Sequence, residues 1–449
     1  MICSMKLSTF ILITVTVISI WSSCFERCSA TETKHWRKLK AVPAIYNVLD
    51  YGAKGDGHAD DTKAFDLAWA AACKMEASTM VVPSGSIFLV KPISFSGLNC
   101  EPNIVFQLDG KILAPTYPAA WGSGTLQWLE FTKLNKITIK GKGVIDGQGS
   151  VWWNDSPTNN PTSESTNTTS QLSIQANSGK LPSTKPTALR FYGSNGVTVT
   201  GITIKNSQQT HLKFDSCTNV HVSNINVSSP GDSPNTDGIH LQNSQDVGIY
   251  SSTLACGDDC VSIQSGCSNI YVDNVNCGPG HGMSIGSLGR ENTKACVTNV
   301  TIRDITLQDT LTGVRIKTHQ GGSGSVQDVM FSNIQVSRVE TPIIIDQYYC
   351  DKGKCQNDTS AVAVSNIHYI NVKGTYTKKP VYFACSDNLP CTGITLDTIQ
   401  LQSSSSSEVV PFCWEAYGEL KTKTAPPVDC LDKGNPSSTG IHSNKNSCS

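Results

Sequence analysis

The sequence contains no run of basic residues and carries almost no net charge. Lysine and arginine together number 35 against 36 aspartates and glutamates, which gives a formal net charge of −1 at pH 7. Proteins that bind nucleic acid usually concentrate positive charge in a run or patch. We therefore expect no nucleic-acid partner, and the near-zero net charge identifies no other partner.

The sequence also lacks an apolar run long enough to cross a membrane. The run Leu7–Trp21 is about 15 residues long, whereas a transmembrane helix needs roughly 20, and no second span follows. Lys6 precedes this run and Cys28-Ser29-Ala30 supplies small residues for cleavage, which is typical of a secretory signal peptide. We predict that residues 1–30 are removed, that the protein is secreted to the cell wall space, and that it does not associate with membranes.

Paired CxxC motifs of the kind that bind zinc are missing as well. Cys256, Cys260 and Cys267 do not have that spacing, and secreted proteins mature in an oxidising compartment. The predicted signal peptide removes three cysteines, so 15 of the 18 remain, and an odd count leaves one thiol free or paired between chains. Spacing alone does not fix disulfide connectivity. The close pairs that are natural candidates are Cys350 with Cys355 and Cys385 with Cys391.

Asn-X-Ser/Thr sequons are consistent with an extracellular chain. Each sequon is a possible acceptor for an N-linked glycan and no more than that. The candidate acceptors are Asn154, Asn167, Asn226, Asn299 and Asn357.

A short pattern of alternating β-branched and polar residues recurs along the chain at intervals of 23 to 38 residues. Period-two alternation and β-branched residues predict strands. Each unit is too short to bury its own apolar face, so the units must stack on one another as the coils of a solenoid. The units begin at Val197, Val220, Val247, Ile270, Val300, Val329, Ile367 and Ile394, with an earlier relative at Ile137.

The repeat predicts an all-β, single-domain right-handed parallel β-helix over residues 31–449. A propeller blade needs about four strands in 40 to 45 residues, which these units do not supply, and a sandwich would not keep the repeat. Residues 66–75 read as a short helix that covers the open first coil. Residues 155–184 are rich in Ser, Thr, Asn and Pro and read as an insertion.

Polar clusters follow four successive repeats. They are Asn235-Thr236-Asp237-Gly238, Gly257-Asp258-Asp259-Cys260, Gly280-His281-Gly282 and Arg315-Ile316-Lys317. Each cluster alone has an ordinary interpretation as a turn or a solvated strand face. Asp258 and His281 both lie 11 residues after the first marker of their repeat, so they should stack one coil apart, about 4.8 Å. The coincidence of all four clusters in consecutive coils favours one site.

This set of residues suits the hydrolysis of a glycosidic bond. That reaction needs one protonated carboxyl group to give a proton to the leaving oxygen and one ionised carboxyl group to activate water or attack carbon. Crowded carboxylates can supply both states, because like charges raise one pKa while neighbouring cations lower another. Arg315 and Lys317 would then bind an anionic sugar, Arg315 by a bidentate contact.

At these residues the sequence closely resembles the polygalacturonase family of glycoside hydrolases, particularly its plant branch. The four clusters occur in the family's order, and the third extends through Met283-Ser284-Ile285-Gly286-Ser287. Further similarity lies in the segments 51–57, 147–153 and 346–350, and the resemblance covers roughly residues 46–413.

The resemblance implies inverting hydrolysis of α-1,4 bonds in demethylated pectin, that is, polygalacturonate, with no metal and no cofactor, and we expect a monomer. It makes Asp258 the general acid, Asp237 and Asp259 the pair that activates water, and His281 the support of the acid. By the same resemblance a disulfide joins Cys260 to Cys277. The remaining residues that it implies for substrate binding are Arg315, Lys317, Tyr349 and Asn235.

Some residues depart from the family's usual pattern, and three rival functions stay open. Lys185-Pro186 stands where many relatives carry Arg-Pro, and Tyr348 stands where Asn is frequent. Neither change removes a catalytic group. A pectate lyase would share the fold and use calcium, a rhamnogalacturonan hydrolase would not need both Arg315 and Lys317, and a wall-binding protein would not need all three aspartates. Endo action is expected by likeness alone.

Overall fold

The computed structural model describes residues 44–122, 124–153, 181–351, 355, 358, 360–404, 409–434, 436 and 448. The chain in these ranges winds as a right-handed parallel β-helix, which confirms the predicted fold class. All strand pairs within the two sheets are parallel, one sheet having 20 strands and the other 11. The predicted division of the chain at residue 30 lies outside the described residues.

The strands of the twenty-stranded sheet are β1 (Ile45–Asn47), β2 (Asp56–Asp60), β3 (Thr79–Val82), β4 (Ile87–Leu89), β6 (Ile104–Leu108), β7 (Lys111–Leu113), β9 (Asn135–Lys140), β10 (Val144–Asp146), β12 (Asn195–Thr200), β13 (Thr203–Lys205), β15 (Thr218–Ser223), β16 (Asn226–Ser228), β18 (Gln245–Ala255), β20 (Cys267–Cys277), β22 (Lys294–Gln308), β24 (Ser323–Val339), β26 (Ala363–Tyr376), β28 (Cys391–Ser403), β30 (Ala416–Leu420) and β31 (Asp432–Lys433).

The strands of the eleven-stranded sheet are β5 (Ile93–Ser96), β8 (Gln127–Thr132), β11 (Thr187–Tyr192), β14 (Leu212–Asp215), β17 (Ile239–Gln242), β19 (Val261–Ile263), β21 (Met283–Leu288), β23 (Thr312–Thr318), β25 (Thr341–Asp346), β27 (Val381–Ala384) and β29 (Phe412–Trp414). The helices are α1 (Thr62–Ala72) and α2 (Ser150–Trp153), with 3-10 turns at Val48–Tyr51, Pro118–Ala120 and Arg290–Asn292.

The register predicted from the repeat is confirmed residue for residue. Val197 pairs with Val220 on the next coil, and Ile367 pairs with Ile394 near the other end of the series. Every marker between them pairs with its successor in the same way, and Val197 also pairs with Ile137. The repeat therefore lies entirely in the twenty-stranded sheet.

The core consists of side chains that stack from coil to coil. Four phenylalanines on β5, β8, β11 and β14 form one such stack, with ring centroids 4.7, 5.3 and 5.2 Å apart. These separations are close to the spacing of neighbouring strands, so identical side chains keep van der Waals contact along the solenoid. The stacked residues are Phe95, Phe131, Phe191 and Phe214.

Helix α1 covers the first coils, as the sequence predicted, but it spans Thr62–Ala72 rather than residues 66–75. Its buried face carries Phe65 and Trp69, and Trp69 packs edge-on against Phe95 and Phe131. The helix begins earlier than predicted because the apolar positions that it buries start at Ala64. The aromatic contacts close the open end of the stack.

Six disulfides join described residues, and they include the three pairs expected from the sequence. Cys260–Cys277, Cys350–Cys355 and Cys385–Cys391 are confirmed. Three further pairs were not assigned from the sequence, namely Cys73–Cys100, Cys296–Cys448 and Cys413–Cys430. Among the described cysteines, the buried thiols of Cys217, Cys256 and Cys267 are unpaired. The odd number of cysteines in the predicted mature chain had required at least one such thiol.

The candidate glycan acceptors fall in different surroundings. Asn226 and Asn299 are exposed, but the Asn299 amide donates a hydrogen bond of 2.7 Å to Asn269 on the preceding coil. The acceptors Asn154, Asn167 and Asn357, together with most of the predicted insertion 155–184, lie outside the described residues. Among the helices that the structure describes, none has the length and apolarity of a membrane span.

Candidate active site

The four predicted clusters lie at the starts of, or within, neighbouring strands of the eleven-stranded sheet. Asp237 stands two residues before β17, Asp259 ends the turn that leads into β19, and His281 stands two residues before β21. Arg315 and Lys317 lie within β23. Because β17, β19, β21 and β23 pair in that order, these side chains project from four consecutive coils.

The backbone holds these turns tightly against one another. The His281 amide donates to the Asp258 carbonyl at 2.7 Å, and the Gly238 amide donates to the Asp259 carbonyl at 2.9 Å. Gly282 has φ +87°, and a β-carbon there would lie 2.2 Å from the Thr312 carbonyl oxygen. Glycine is therefore required beside His281, both for the left-handed backbone and for the close approach of β23.

Asp259 lies between two cations at the centre of the site. One carboxylate oxygen accepts from Arg315 at 2.6 Å and the other accepts from Lys317 at 2.9 Å. Ser284 Oγ also donates to Asp259 at 2.8 Å, and Arg315 Nε donates to Ser284 at 3.1 Å. The three charged side chains are at most 10% exposed. We call Asp259, Arg315 and Lys317 the Asp259 cluster, and it carries one positive charge in excess.

Asp258 forms the second part of the site with His281 and Asn235. His281 Nδ1 lies 3.0 Å from Asp258 Oδ1, and Asn235 Nδ2 donates to Asp258 Oδ2 at 3.2 Å. Burial by itself would raise the pKa of Asp258, but the hydrogen bond and charge of His281, together with Lys317 and Asn235, outweigh burial and lower this pKa below its ordinary value. In the free protein, Asp258 is therefore an ionised partner of His281.

Asp237 forms the third part and differs from Asp258 in its proton affinity. Burial and the negative charge of Asp258 raise the pKa of Asp237, and the hydrogen bond from His240 opposes them only in part. His240 Nδ1 lies 3.2 Å from Asp237 Oδ2. The two neighbouring carboxyl groups are thus shifted in opposite directions, which is the condition that lets one site supply both an acid and a base.

His211 supports Asp237 from the interior. It is fully buried, its Nδ1 donates to the Asp237 carbonyl at 2.8 Å, and its Nε2 lies 2.7 Å from Ser229 Oγ. Burial lowers the pKa of His211 to about 4, so the ring is neutral at ordinary pH. A neutral ring satisfies both hydrogen bonds, with Nδ1 as donor and Nε2 as acceptor from Ser229.

Tyr349 borders the Asp259 cluster. Lys317 Nζ lies 5.3 Å from the centre of the Tyr349 ring, and His319 packs edge-on against that ring at 5.3 Å. The Tyr349 amide donates to the Thr318 carbonyl at 3.2 Å, which fixes its turn against β23. The structure therefore brings Tyr349 beside the cations with which the sequence grouped it.

All eight predicted site residues lie together, and sequence reasoning missed three supporting ones. His240 follows Asp237 by three residues, and Ser284 was part of a recognised motif without an assigned role. Both project away from the core beside a turn of the candidate site because their strand neighbours are buried, and that alternation could have found them. His211 had no such signal, since its contact to the Asp237 carbonyl is made across coils.

Asp258, Asp259 and His281 are close enough to hold a metal ion, since their ligand atoms lie within 4.8 Å of one another. Both oxygens of Asp259 already accept hydrogen bonds from cations, and His281 Nδ1 faces Asp258. A metal ion would have to displace these contacts. The site therefore does not fit a metal, and the expectation of no metal stays a prediction.

Solved structures of similar fold include two polygalacturonases. The polygalacturonase from Erwinia carotovora matches with a TM-score of 0.67 and 23% identity over 85% of this chain and 97% of its own. Endopolygalacturonase I from Stereum purpureum, solved with two galacturonates, matches with a TM-score of 0.51 and 19% identity over 82% and 98%. At these identities the likeness establishes the fold.

Sequence comparison establishes the family. A probable polygalacturonase from Arabidopsis thaliana is 40% identical over 86% of this chain and 84% of its own length. Polygalacturonase-2 from Solanum lycopersicum is 40% identical over 82% and 77%. The family model for glycosyl hydrolases family 28 matches residues 73–413. With a match of that length and plant relatives of that identity, the chain belongs to glycosyl hydrolases family 28.

Proposed function

We propose that this protein hydrolyses α-1,4-galacturonosyl bonds of demethylated pectin with inversion, and that it cuts within the polymer. The observation that carries the proposal is the buried Asp259 cluster, whose excess positive charge lies beside two more carboxyl groups. Galacturonate is an anionic sugar, so the cations favour its binding. The polygalacturonase names of the plant relatives support this choice of substrate.

Asp258 gives its proton to the leaving oxygen in this proposal. The lowered pKa of Asp258 in the free protein means that a proton must be supplied when the substrate binds. His281 is one source, because its Nδ1 lies 3.0 Å from Asp258 Oδ1. A uronate carboxylate placed against Lys317 also offsets one of the charges that lower the Asp258 pKa. Substrate binding thus favours the protonated acid.

Asp237 and Asp259 activate the attacking water in the same proposal. Both carboxylate oxygens of Asp259 contact cations, Arg315 at 2.6 Å and Lys317 at 2.9 Å. Asp237 has a raised pKa, and His240 supports its ionised form by the contact at 3.2 Å. Water deprotonated between these carboxylates attacks the sugar carbon in one displacement, and Arg315, Lys317 and Tyr349 hold the neighbouring uronate.

Action within the polymer is supported by the position of the site along its sheet. Four strands of the eleven-stranded sheet precede β17, and three follow β23. A polysaccharide lying along the sheet can therefore extend beyond the site in both directions. The six disulfides support secretion, and we propose a secreted monomer.

The decisive assay uses the purified protein with polygalacturonate in EDTA. Reducing ends, viscosity and ultraviolet absorbance are followed together. We expect reducing ends without new absorbance and an early fall in viscosity. Absorbance that requires added calcium would identify a lyase. Reducing ends released only from rhamnogalacturonan would identify a rhamnogalacturonan hydrolase. No change in reducing ends, viscosity or absorbance would indicate a wall-binding protein without catalytic activity.

An Asp258→Asn variant tests the acid. We expect kcat to fall by about 10²- to 10⁴-fold, because one general acid is removed, with the circular dichroism of the folded protein retained. Asp246→Asn is the matched control, since Asp246 is exposed on β18 of the other sheet. A fully active Asp258→Asn variant would overturn the assignment.

A further inference from the structure

One cation on the eleven-stranded sheet differs from the others. The strands of this sheet carry four lysines and arginines, and three of them pair with carboxylates. Arg190 binds Glu130 at 3.0 Å and Asp215 at 2.6 Å, and Arg315 and Lys317 bind Asp259. Among the residues that the structure describes, no hydrogen bond or ion pair engages the fourth cation, the ammonium group of Lys213.

Lys213 lies on the outward face of β14, since its neighbours Leu212 and Phe214 are fully buried. In the register of the sheet, Lys213 aligns with Arg190 on one side and with His240 on the other. His240 in turn contacts Asp237 at 3.2 Å. Lys213 is therefore one coil, about 4.8 Å along the sheet, from a residue that contacts a catalytic carboxyl group.

Lys213 and the pair Arg315 and Lys317 lie on opposite sides of the three aspartates along the sheet. Along the sheet, β14 precedes β17, whereas Arg315 and Lys317 lie on β23 beyond the catalytic turns. A cation thus lies on each side of the three aspartates. A polysaccharide that lies along the sheet would meet Lys213 before the aspartates and Lys317 after them.

No carboxylate on β14 forms a close ion pair with Lys213. Asp215 is near, but its Oδ2 accepts from Arg190 at 2.6 Å and its Oδ1 accepts from Ser216 at 3.1 Å. Lys213 is half-buried, and burial and the charge of Arg190 lower its pKa, although the charges of Asp215 and Asp237 oppose that shift, so its charge is held at a cost. A bound anion would remove that cost.

We propose that Lys213 binds the carboxylate of the galacturonate unit on the β14 side of the catalytic aspartates. This inference rests on the proposed function and deepens it. Arg315 and Lys317 hold the uronate on one side of the cleaved bond, and Lys213 holds the uronate on the other. The enzyme then requires free carboxylates at both positions, because a methyl ester offers neither charge nor a charged acceptor.

A structural role for Lys213 makes a different prediction. Arg190 binds two carboxylates, so Glu130, Arg190 and Asp215 together carry one excess negative charge. If Lys213 only balances that charge, its removal lowers the free energy of unfolding and leaves substrate affinity unchanged. Substrate affinity, rather than stability, is therefore the informative measurement.

The test compares Lys213→Met and Lys213→Arg with Lys373→Met. Lys373 is half-buried on β26 of the other sheet, so its variant removes the same charge away from the site. We expect Lys213→Met to raise KM for polygalacturonate by about 10-fold, with kcat within about twofold, and to reduce the preference for polygalacturonate over methyl-esterified pectin. Lys213→Arg should keep most of both properties, and Lys373→Met should change neither.

Binding of trigalacturonate separates this inference from the proposed function. It is measured by calorimetry with Asp258→Asn, alone and combined with Lys213→Met. Weaker binding in the double variant supports the Lys213 site even if the wild-type protein releases no reducing ends, a result that would overturn the proposed function alone. Unchanged KM and unchanged trigalacturonate binding in the Lys213→Met background would overturn the Lys213 site while an active wild-type enzyme keeps the function.

Discussion

Two ion-pair clusters on the same sheet have opposite compositions. In the Arg190 cluster, formed by Glu130, Arg190 and Asp215, one cation lies between two carboxylates at 3.0 and 2.6 Å. In the Asp259 cluster one carboxylate lies between two cations at 2.6 and 2.9 Å. The contact distances are nearly the same, so ion pairing as such does not distinguish a structural cluster from an active site.

The two clusters differ in the sign of their excess charge and in the carboxyl groups that lie next to them. The Arg190 cluster has a negative excess, whereas the Asp259 cluster has a positive excess, which favours the binding of an anionic sugar. Asp259 also adjoins Asp237 and Asp258, whose pKa values are shifted in opposite directions. Crowded carboxyl groups with separated pKa values mark a functional site more reliably than any single ion pair.

The largest expected effect comes from removing the central carboxylate of the Asp259 cluster. Asp259→Asn leaves Arg315 and Lys317 buried without their partner, which should cost about 3 to 5 kcal/mol of unfolding free energy. Loss of the proposed water-activating group should lower kcat by about 10²-fold or more. Both effects are measured on purified protein, by reducing-end kinetics on polygalacturonate and by denaturant unfolding.

Asp215→Asn is the matched change in the Arg190 cluster. Arg190 keeps Glu130 as a partner, so the loss should be about 1 to 2 kcal/mol of unfolding free energy, and kcat should stay within about twofold. Equal losses of kcat in Asp259→Asn and Asp215→Asn would contradict the conclusion that only the Asp259 cluster takes part in catalysis. A kcat in Asp259→Asn near that of the wild type would remove Asp259 from the mechanism.

A second prediction concerns His211, which stands immediately before β14 and contacts the Asp237 carbonyl. Its folded-state pKa of about 4 lies below the unfolded value of about 6.5. The unfolded chain therefore binds more protons between these values, so stability is complete above pH 6.5 and falls as the pH drops toward 4. The His211 contribution to that loss is at most roughly 3 kcal/mol.

His211→Asn keeps a donor to the Asp237 carbonyl and removes the titrating ring. The variant should lose less stability than the wild type between pH 7 and pH 4.5, as measured by urea midpoints. His221→Asn is the control, because His221 is exposed on β15 of the other sheet and its loss should not alter the slope. The same acid-induced loss in wild type and His211→Asn would show that this ring does not cause it.

The sequence predicted the coils and the site for one physical reason. Side chains that stack on neighbouring coils keep a similar offset from the repeat, so the offset of Asp258 and His281 from their markers was enough to place them side by side. The register of Val197 with Val220 and its successors was readable in the same way. The helix α1 was found, but its ends were shifted by tertiary burial.

Contacts between residues that are far apart in the sequence could not be predicted from the sequence. The ion pairs of Asp259 join residues 56 and 58 positions apart, and Cys296 bonds to Cys448 across 152 positions. The strands of the eleven-stranded sheet are three to seven residues long, and none of the repeat markers lies on them. The pKa of Asp258 depends on burial and on the charges around it, so its direction emerged only from the structure.

The smallest expected effect comes from Asn235, and it tests which role Asp258 has. Asn235 Nδ2 donates to Asp258 at 3.2 Å, so Asn235→Ala removes one of the contacts that lower the Asp258 pKa and should raise that pKa. The control is Asn269→Ala, because Asn269 has a similar left-handed backbone and donates to Asp246 at 2.8 Å.

The pH profile of kcat/KM on polygalacturonate then distinguishes the two roles. A general acid must be protonated, so a raised Asp258 pKa should move the alkaline limb of the profile to higher pH. A base must be ionised, so the same change would instead move the acidic limb to higher pH. Movement of the acidic limb alone would assign the acid to Asp237, whose raised pKa already favours the protonated form, and would reverse the two roles within the same site.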